Sequence, residues 1–119
     1  MFPGQPDPTE IQCATRTTTG TLVTVPAGRW YTGDLVLSAA VSVAGTSTPV
    51  VTVNGTNASP AAGTVVARIN LTGLALSTVS DSATIGVIVK APPENDVTID
   101  FTAGATGTSS ASLNGFVFG

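Results

Sequence analysis

Apolar and polar residues alternate with a period of two along most of this chain. The clearest run is Leu35, Leu37, Ala39, Val41 and Val43, interleaved with Val36, Ser38, Ala40 and Ser42. A period of two sends successive side chains to opposite faces, so this run predicts a long half-buried strand. The same pattern returns in Val65, Ala67, Ile69 and Leu71, in Ala83, Ile85, Val87 and Val89, and in Val97, Ile99, Phe101 and Ala103. Shorter candidates are Thr21 to Val25, Val50 to Val53 and Leu74 to Val79, and Ser110 to Phe118 forms a last strand.

The breaks between these runs carry turn chemistry. Pro26-Ala27-Gly28, Gly45 to Pro49, Asn54-Gly55, the loop around Pro60 and Pro92-Pro93-Glu94-Asn95-Asp96 all punctuate the alternation. Proline presets φ, and Gly or Asn tolerates the positive φ of tight turns. Seven or eight short strands, roughly ten residues apart, with no sustained helical periodicity, predict a single all-β domain. The architecture expected is an antiparallel β-sandwich, jelly-roll-like, with an immunoglobulin-like sandwich as the alternative, because strand order is not written in periodicity.

Residues 1–12 break the pattern. Pro3, Pro6 and Pro8 fix φ and remove backbone donors, and Phe2 and Ile11 are the large apolar residues of the segment. They read as an extended N-terminal arm, either a disordered terminus or an arm that docks on a neighbour with Phe2 as its tip, ahead of a sandwich domain spanning residues 13–119.

Composition narrows the function classes. Charged residues make up 9% of the chain, against about a quarter in ordinary domains, and the net charge is −3. Four scattered cations, Arg16, Arg29, Arg68 and Lys90, are too few to displace counterions from a phosphate backbone, so nucleic acid is not an expected partner. No basic amphipathic helix or long apolar run points to a membrane. The N-terminus lacks the basic and apolar regions of a signal peptide, and Cys13 is alone, so folding in a reducing compartment is expected. A surface so poor in charge is more often one that other protein covers.

Catalytic chemistry has little to draw on. There is no histidine, which removes the commonest general base and metal ligand. Cys13 has no histidine partner to activate it as a nucleophile. The carboxylates Asp7, Glu10, Asp34, Asp81, Glu94, Asp96 and Asp100 are scattered. Glu94-Asn95-Asp96 lacks the ligand spacing of a calcium loop and reads as solvated turn charge, and Asp100 falls out of phase with Val97, Ile99 and Phe101 as a surface residue. No enzyme, cofactor or metal site is expected.

Contact chemistry is better represented. Arg29-Trp30-Tyr31 joins three residue types enriched at interface hot spots. The simplest reading makes Trp30 a core plug and Tyr31 a rim residue, while the functional reading puts one of them in a subunit contact. Phe116 and Phe118 need burial, which a terminal strand at mid-sheet or at an oligomer axis would provide. The candidate interface is therefore Phe2, Arg29, Trp30, Tyr31, Phe116 and Phe118.

The segment Thr24-Val25-Pro26-Ala27-Gly28-Arg29-Trp30-Tyr31-Thr32-Gly33, continued by Leu35-Val36-Leu37-Ser38-Ala39, resembles small virion proteins of tailed bacteriophages, including head decoration and minor capsid or fibre proteins. Ala111 to Phe118 looks like the closing strand of trimeric jelly rolls of the C1q and tumour-necrosis-factor type. The resemblance implies a cement role: a homotrimer, made in the host bacterial cytoplasm, that binds the major capsid protein on the virion surface. A tail-fibre, spike or adhesin module that binds a host glycan through Trp30 and Tyr31 is the alternative.

Overall fold

The computed structural model describes residues 9–41, 46–55, 61–69, 71–72 and 79–119. Phe2 with the rest of residues 1–8, Val43, most of the loop around Pro60, and Leu74 to Thr78 lie outside the described residues. The elements are β1 (Glu10–Arg16), β2 (Gly20–Val25), β3 (Trp30–Val41), β4 (Thr46–Ser47), β5 (Val50–Asn54), β6 (Thr64–Arg68), β7 (Leu71–Thr72), β8 (Val79–Lys90), β9 (Val97–Thr102) and β10 (Thr108–Phe118). No helix occurs among the described residues.

The pairing is nested. Leaving aside the small β4–β7 ribbon, β1 pairs with β10, β2 with β9, β3 with β8 and β5 with β6, all antiparallel. Ladders between β10 and β3 and between β5 and β9 then close two four-stranded sheets, in the orders β1-β10-β3-β8 and β2-β9-β5-β6. A nested antiparallel ribbon rolled up in this way is the jelly roll. The immunoglobulin arrangement, in which strands A, B, E and D of one sheet face C, F and G of the other, is not the order of the described strands.

The core lies between the sheets. Leu35, Leu37, Ala39 and Val41 of β3 meet Val51 and Val53 of β5 and Val97, Ile99 and Phe101 of β9, all buried. The period of two in these runs thus places the same residues inside as the sequence predicts. Ala111, Leu113 and Val117 complete the inner face of β10.

Three differences from the sequence expectation have physical causes. First, β1 begins at Glu10, ahead of the boundary expected at residue 13. It is an edge strand with exposed Ile11, Cys13 and Thr15, so it shows no apolar alternation. Second, the register shifts between Val51 and Thr52, which face Ala67 and Val65 on β6. This bulge flips the phase, so Val65 points outward although Ala67 packs on the core. Third, Ile85 is in the inward phase of β8 yet partly exposed, because β8 is the other edge of its sheet.

One end of the sandwich is tied by two turns. Arg29 N–H donates to Pro26 O (3.0 Å), and Gly28 has φ 77°, the left-handed conformation a type II turn needs at that position. Gly28 N–H donates to Pro92 O (2.8 Å), Ala91 N–H to Arg29 O (2.9 Å), and Ala27 N–H to the Asp96 carboxylate (2.9 Å). Asp96 is therefore occupied in holding the two turns together.

Candidate contact surface

The register of the β1-β10-β3-β8 sheet sets its outward side chains in rows. Phe118, Trp30 and Lys90 form the row at the turn-tied end. Ile11, Phe116, Thr32 and Ile88 form the next. Then come Cys13, Asn114, Asp34 and Gly86, followed by Thr15, Ser112, Val36 and Thr84. Beyond these, Ser110, Ser38, Ser82, Thr108, Ala40 and Ser80 carry only small side chains. Val36 apart, the large apolar groups on this face are concentrated in the two end rows.

Within those rows the rings touch. Trp30 stacks on Phe118 with ring centroids 6.3 Å apart and planes at 18°, and Phe116 tilts against Phe118 at 5.7 Å. Lys90 Nζ lies over the Trp30 ring, 5.4 Å from its centroid, a cation–π arrangement. Ile11 is 78% exposed, Ile88 57% and Phe116 39%. Because residue 86 is Gly, a shallow depression opens between Ile88, Phe116 and Asn114, with Thr32 and Asp34 in its lining. The result is a continuous apolar patch, aromatic at its centre and flanked by one cation.

Of the expected contact residues, the structure brings together Trp30, Phe116 and Phe118. Arg29 reaches the same end, half-buried in the turn before β3, and Phe2 lies outside the described residues. The expected roles of Trp30 and Tyr31 are reversed. Tyr31 is fully buried and Trp30 half-exposed, since residue 31 shares the inward phase of Leu35 and Leu37. Tyr31 is therefore not a surface residue. Strand β10 does run mid-sheet, but Phe116 and Phe118 fall in the phase of Ser110, Ser112 and Asn114 and face outward. Ile11, named in the sequence as a large apolar residue of the N-terminal segment, was not among the expected contact residues, nor were Ile88 and Lys90; only the pairing of β1 and β8 into this sheet assembles them with the Phe residues.

Tyr31 supports the patch from below. Its hydroxyl donates to Gln12 O (2.9 Å), crossing from β3 beneath β10 to β1. The ring passes under Gly33 and Gly115, which face each other in the β3–β10 ladder. A Cβ on Gly115 would sit 2.8 Å from Tyr31 Oη and 2.6 Å from Gly33 Cα, and one on Gly33 would sit 2.6 Å from Asn114 O. Burial, followed by the nearby Cys13 and Asp34, pushes the Tyr31 phenol up to about 12.

The outer face of the other sheet carries a polar cluster around Asp100, with Val65 exposed on its edge strand β6. Asp100 accepts from Thr21 Oγ1 (2.6 Å), Asn54 Nδ2 (2.5 Å) and Thr98 Oγ1 (3.0 Å). Its carboxylate is thus spent on linking β2, β9 and β5, and Asp100 lies on the outward phase, as its position in sequence predicts. No group of three or more metal-ligating side chains occurs among the described residues. No helix there is long and apolar enough to cross a membrane.

No family model and no curated protein matches this chain. Among solved structures, a chain in the structure of infectious bursal disease virus Gx strain aligns over 99% of this chain at 12% identity and a TM-score of 0.29, and this chain spans 44% of that one.

Proposed function

We propose that this chain is a structural virion subunit, a phage capsid decoration protein that binds the major capsid protein as a homotrimer. The observation that carries the reading is the aromatic patch of Trp30, Phe116 and Phe118 with Ile11 and Ile88, held outward at one end of an otherwise Ser- and Thr-rich face. Burying such side chains against protein is favourable by about 25 cal/mol per Å² of apolar area. Aromatic anchors at a water-excluded centre are the usual hot spots of interfaces. The resemblance of the Thr24 to Ala39 segment to tailed-phage virion proteins supports the choice of partner. The mechanism is contact alone: several modest contacts on one rigid oligomer act together as a strong one.

The test is to mix the purified chain with expanded capsids that lack decoration and to locate added density by electron microscopy. Ordered density at three-fold or quasi-three-fold positions is expected. Absence of binding at micromolar concentration would remove the decoration role. The glycan-binding alternative has to rest on Trp30 without Tyr31, which is buried. Glycan-array binding that disappears in Trp30→Ala, without capsid binding, would favour it.

A further inference from the structure

We propose that the aromatic patch is the receptor for the proline-rich N-terminal arm of a second copy of this chain. The proposal deepens the reading of this face as a contact surface and does not depend on the capsid assignment. The arm carries Phe2-Pro3-Gly4-Gln5-Pro6-Asp7-Pro8, in which Pro3 and Pro6 have the spacing of a PxxP segment. Such segments adopt an extended polyproline helix and dock on aromatic-lined surfaces. Trp30, Phe118 and Phe116, with a depression beside Phe116 and Ile88, supply that surface. Charge offers one match: the arm's acidic Asp7 would meet Lys90 beside Trp30, away from Asp34 in the lining of the depression, and the arm holds no Lys or Arg.

Geometry selects a second copy over the same one. Glu10 pairs with Val117, so Thr9 is level with Phe118 and the arm leaves from the patch end of the sheet. Pro6 and Pro8 turn the residues before them away from the helical region, so the sequence predicts an extended arm. Five extended residues span about 15 Å at about 3.1 Å each, so an arm that continued the line of β1 and reversed at Gly4 would leave Phe2 about 9 Å past the sheet. A reversal at Asp7-Pro8-Thr9-Glu10 instead would lay the arm along the free edge of β1. That line is three strand spacings, about 14 Å, from Trp30 on β3. Neither route brings the arm over Trp30 and Lys90, and the second would reach only the β1 side of the patch, at Ile11. Nor does the arm suit pairing with the edge of another sheet, because Pro3, Pro6 and Pro8 have no N–H to donate.

The chain's single tryptophan is Trp30, so its fluorescence reads the patch directly. The experiment compares the full-length chain with a full-length arm variant, Phe2→Ala with Pro3→Ala and Pro6→Ala, and with Ile88→Glu at an exposed patch position. Sedimentation velocity over a concentration series and Trp30 emission are recorded for each. A synthetic peptide of residues 1–9 is then titrated into the arm variant. The expected result is self-association of the parent chain, weakened about tenfold or more in both variants. The peptide should shift Trp30 emission of the arm variant saturably, and should do so more weakly when Ile88→Glu is added. An arm variant that associates as tightly as the parent would overturn the proposal in favour of patch-on-patch contact. A monomeric parent whose Trp30 emission differs from that of the arm variant would overturn it in favour of the chain's own arm. A peptide without effect on emission would also overturn it. Capsid binding, measured on the same proteins, reports separately on the decoration role.

Discussion

Tyr31→Phe deletes one oxygen, and the structure states what that oxygen does. The hydroxyl donates to Gln12 O at 2.9 Å and ties the edge strand β1 to β3 across β10. A buried hydrogen bond of this kind contributes about 1 kcal/mol net, so Tyr31→Phe should lower the unfolding free energy by about 1–1.5 kcal/mol in urea with an unchanged m-value. The phenol also couples stability to pH. Its pKa is raised from 10.0 to about 12 in the fold, chiefly by burial. The neutral phenol is thus favoured by folding, so its contribution is fully present below pH 10 and is lost as pH rises to about 12. A gap of two units caps that contribution at about 2.7 kcal/mol. The hydroxyl sits beside the half-buried Gln12 on an edge strand, so screening brings it to about 1–2 kcal/mol. Tyr31 is the chain's only tyrosine, so tyrosinate absorbance titrates this site alone. The midpoint should fall near 12, or coincide with alkaline unfolding above pH 10, followed in parallel by Trp30 emission. Ionisation near pH 10 with the native emission intact would refute the burial argument.

Three further substitutions or reagents test other parts of the structure. Gly115→Ala places a methyl against Tyr31 Oη and the backbone of Thr32 and Gly33, where a shift of one side chain gives no relief; a loss of about 1–3 kcal/mol, at the upper end of that range, is expected in chemical denaturation. Asp100→Ala leaves Thr21, Asn54 and Thr98 without their common acceptor, and should cost about 1–2 kcal/mol by the same measurement, with Asp100→Asn intermediate. Cys13 is exposed on the outward phase of β1, so in dilute native protein a thiol reagent should modify it within a few-fold of its rate in the denatured chain. Strong protection of Cys13 would show that this face is already covered.

What the sequence made legible was the inside of each strand, and what it hid was the company each strand keeps. Leu35, Leu37, Ala39, Val97, Ile99 and Phe101 declare their burial by period alone, because one face of each strand meets the core. Carrying the phase of Leu35 back to Tyr31 would have buried Tyr31 and turned Trp30 outward. The same step along β10 separates buried Leu113 and Val117 from outward Phe116 and Phe118. The bulge at Val51/Thr52 has no comparable marker, so Val65 carries the wrong phase in sequence. The patch itself could not be read locally, since Ile11, Phe116, Thr32 and Ile88 become one row only through ladders that join both ends of the chain to its middle. Nested pairing of this kind is nonlocal by construction, and it is also what separates the jelly roll from other sandwiches.

The position of the patch bears on symmetry. A contact in which one patch meets its own copy is isologous and stops at two chains. A contact in which an arm from one chain enters a patch on the next is heterologous: donor and acceptor differ, and an open assembly keeps one donor and one acceptor free until a ring closes. A three-fold oligomer requires the second kind. The chain enters β1 at the level of Phe118, and the acceptor rows begin at the same level, so the root of the arm and the acceptor share one end of the sandwich. Copies joined there would gather their patch ends about a common axis and leave the Asp100 face of the other sheet outside the contact. Chemical cross-linking of the parent chain should therefore stop at a closed ring, three copies on the trimer reading. A ladder that ran on without limit would mean that the arm binds but the rotation does not close. A ladder that stopped at two, and persisted in the arm variant, would place the patches against each other and remove the arm from the contact.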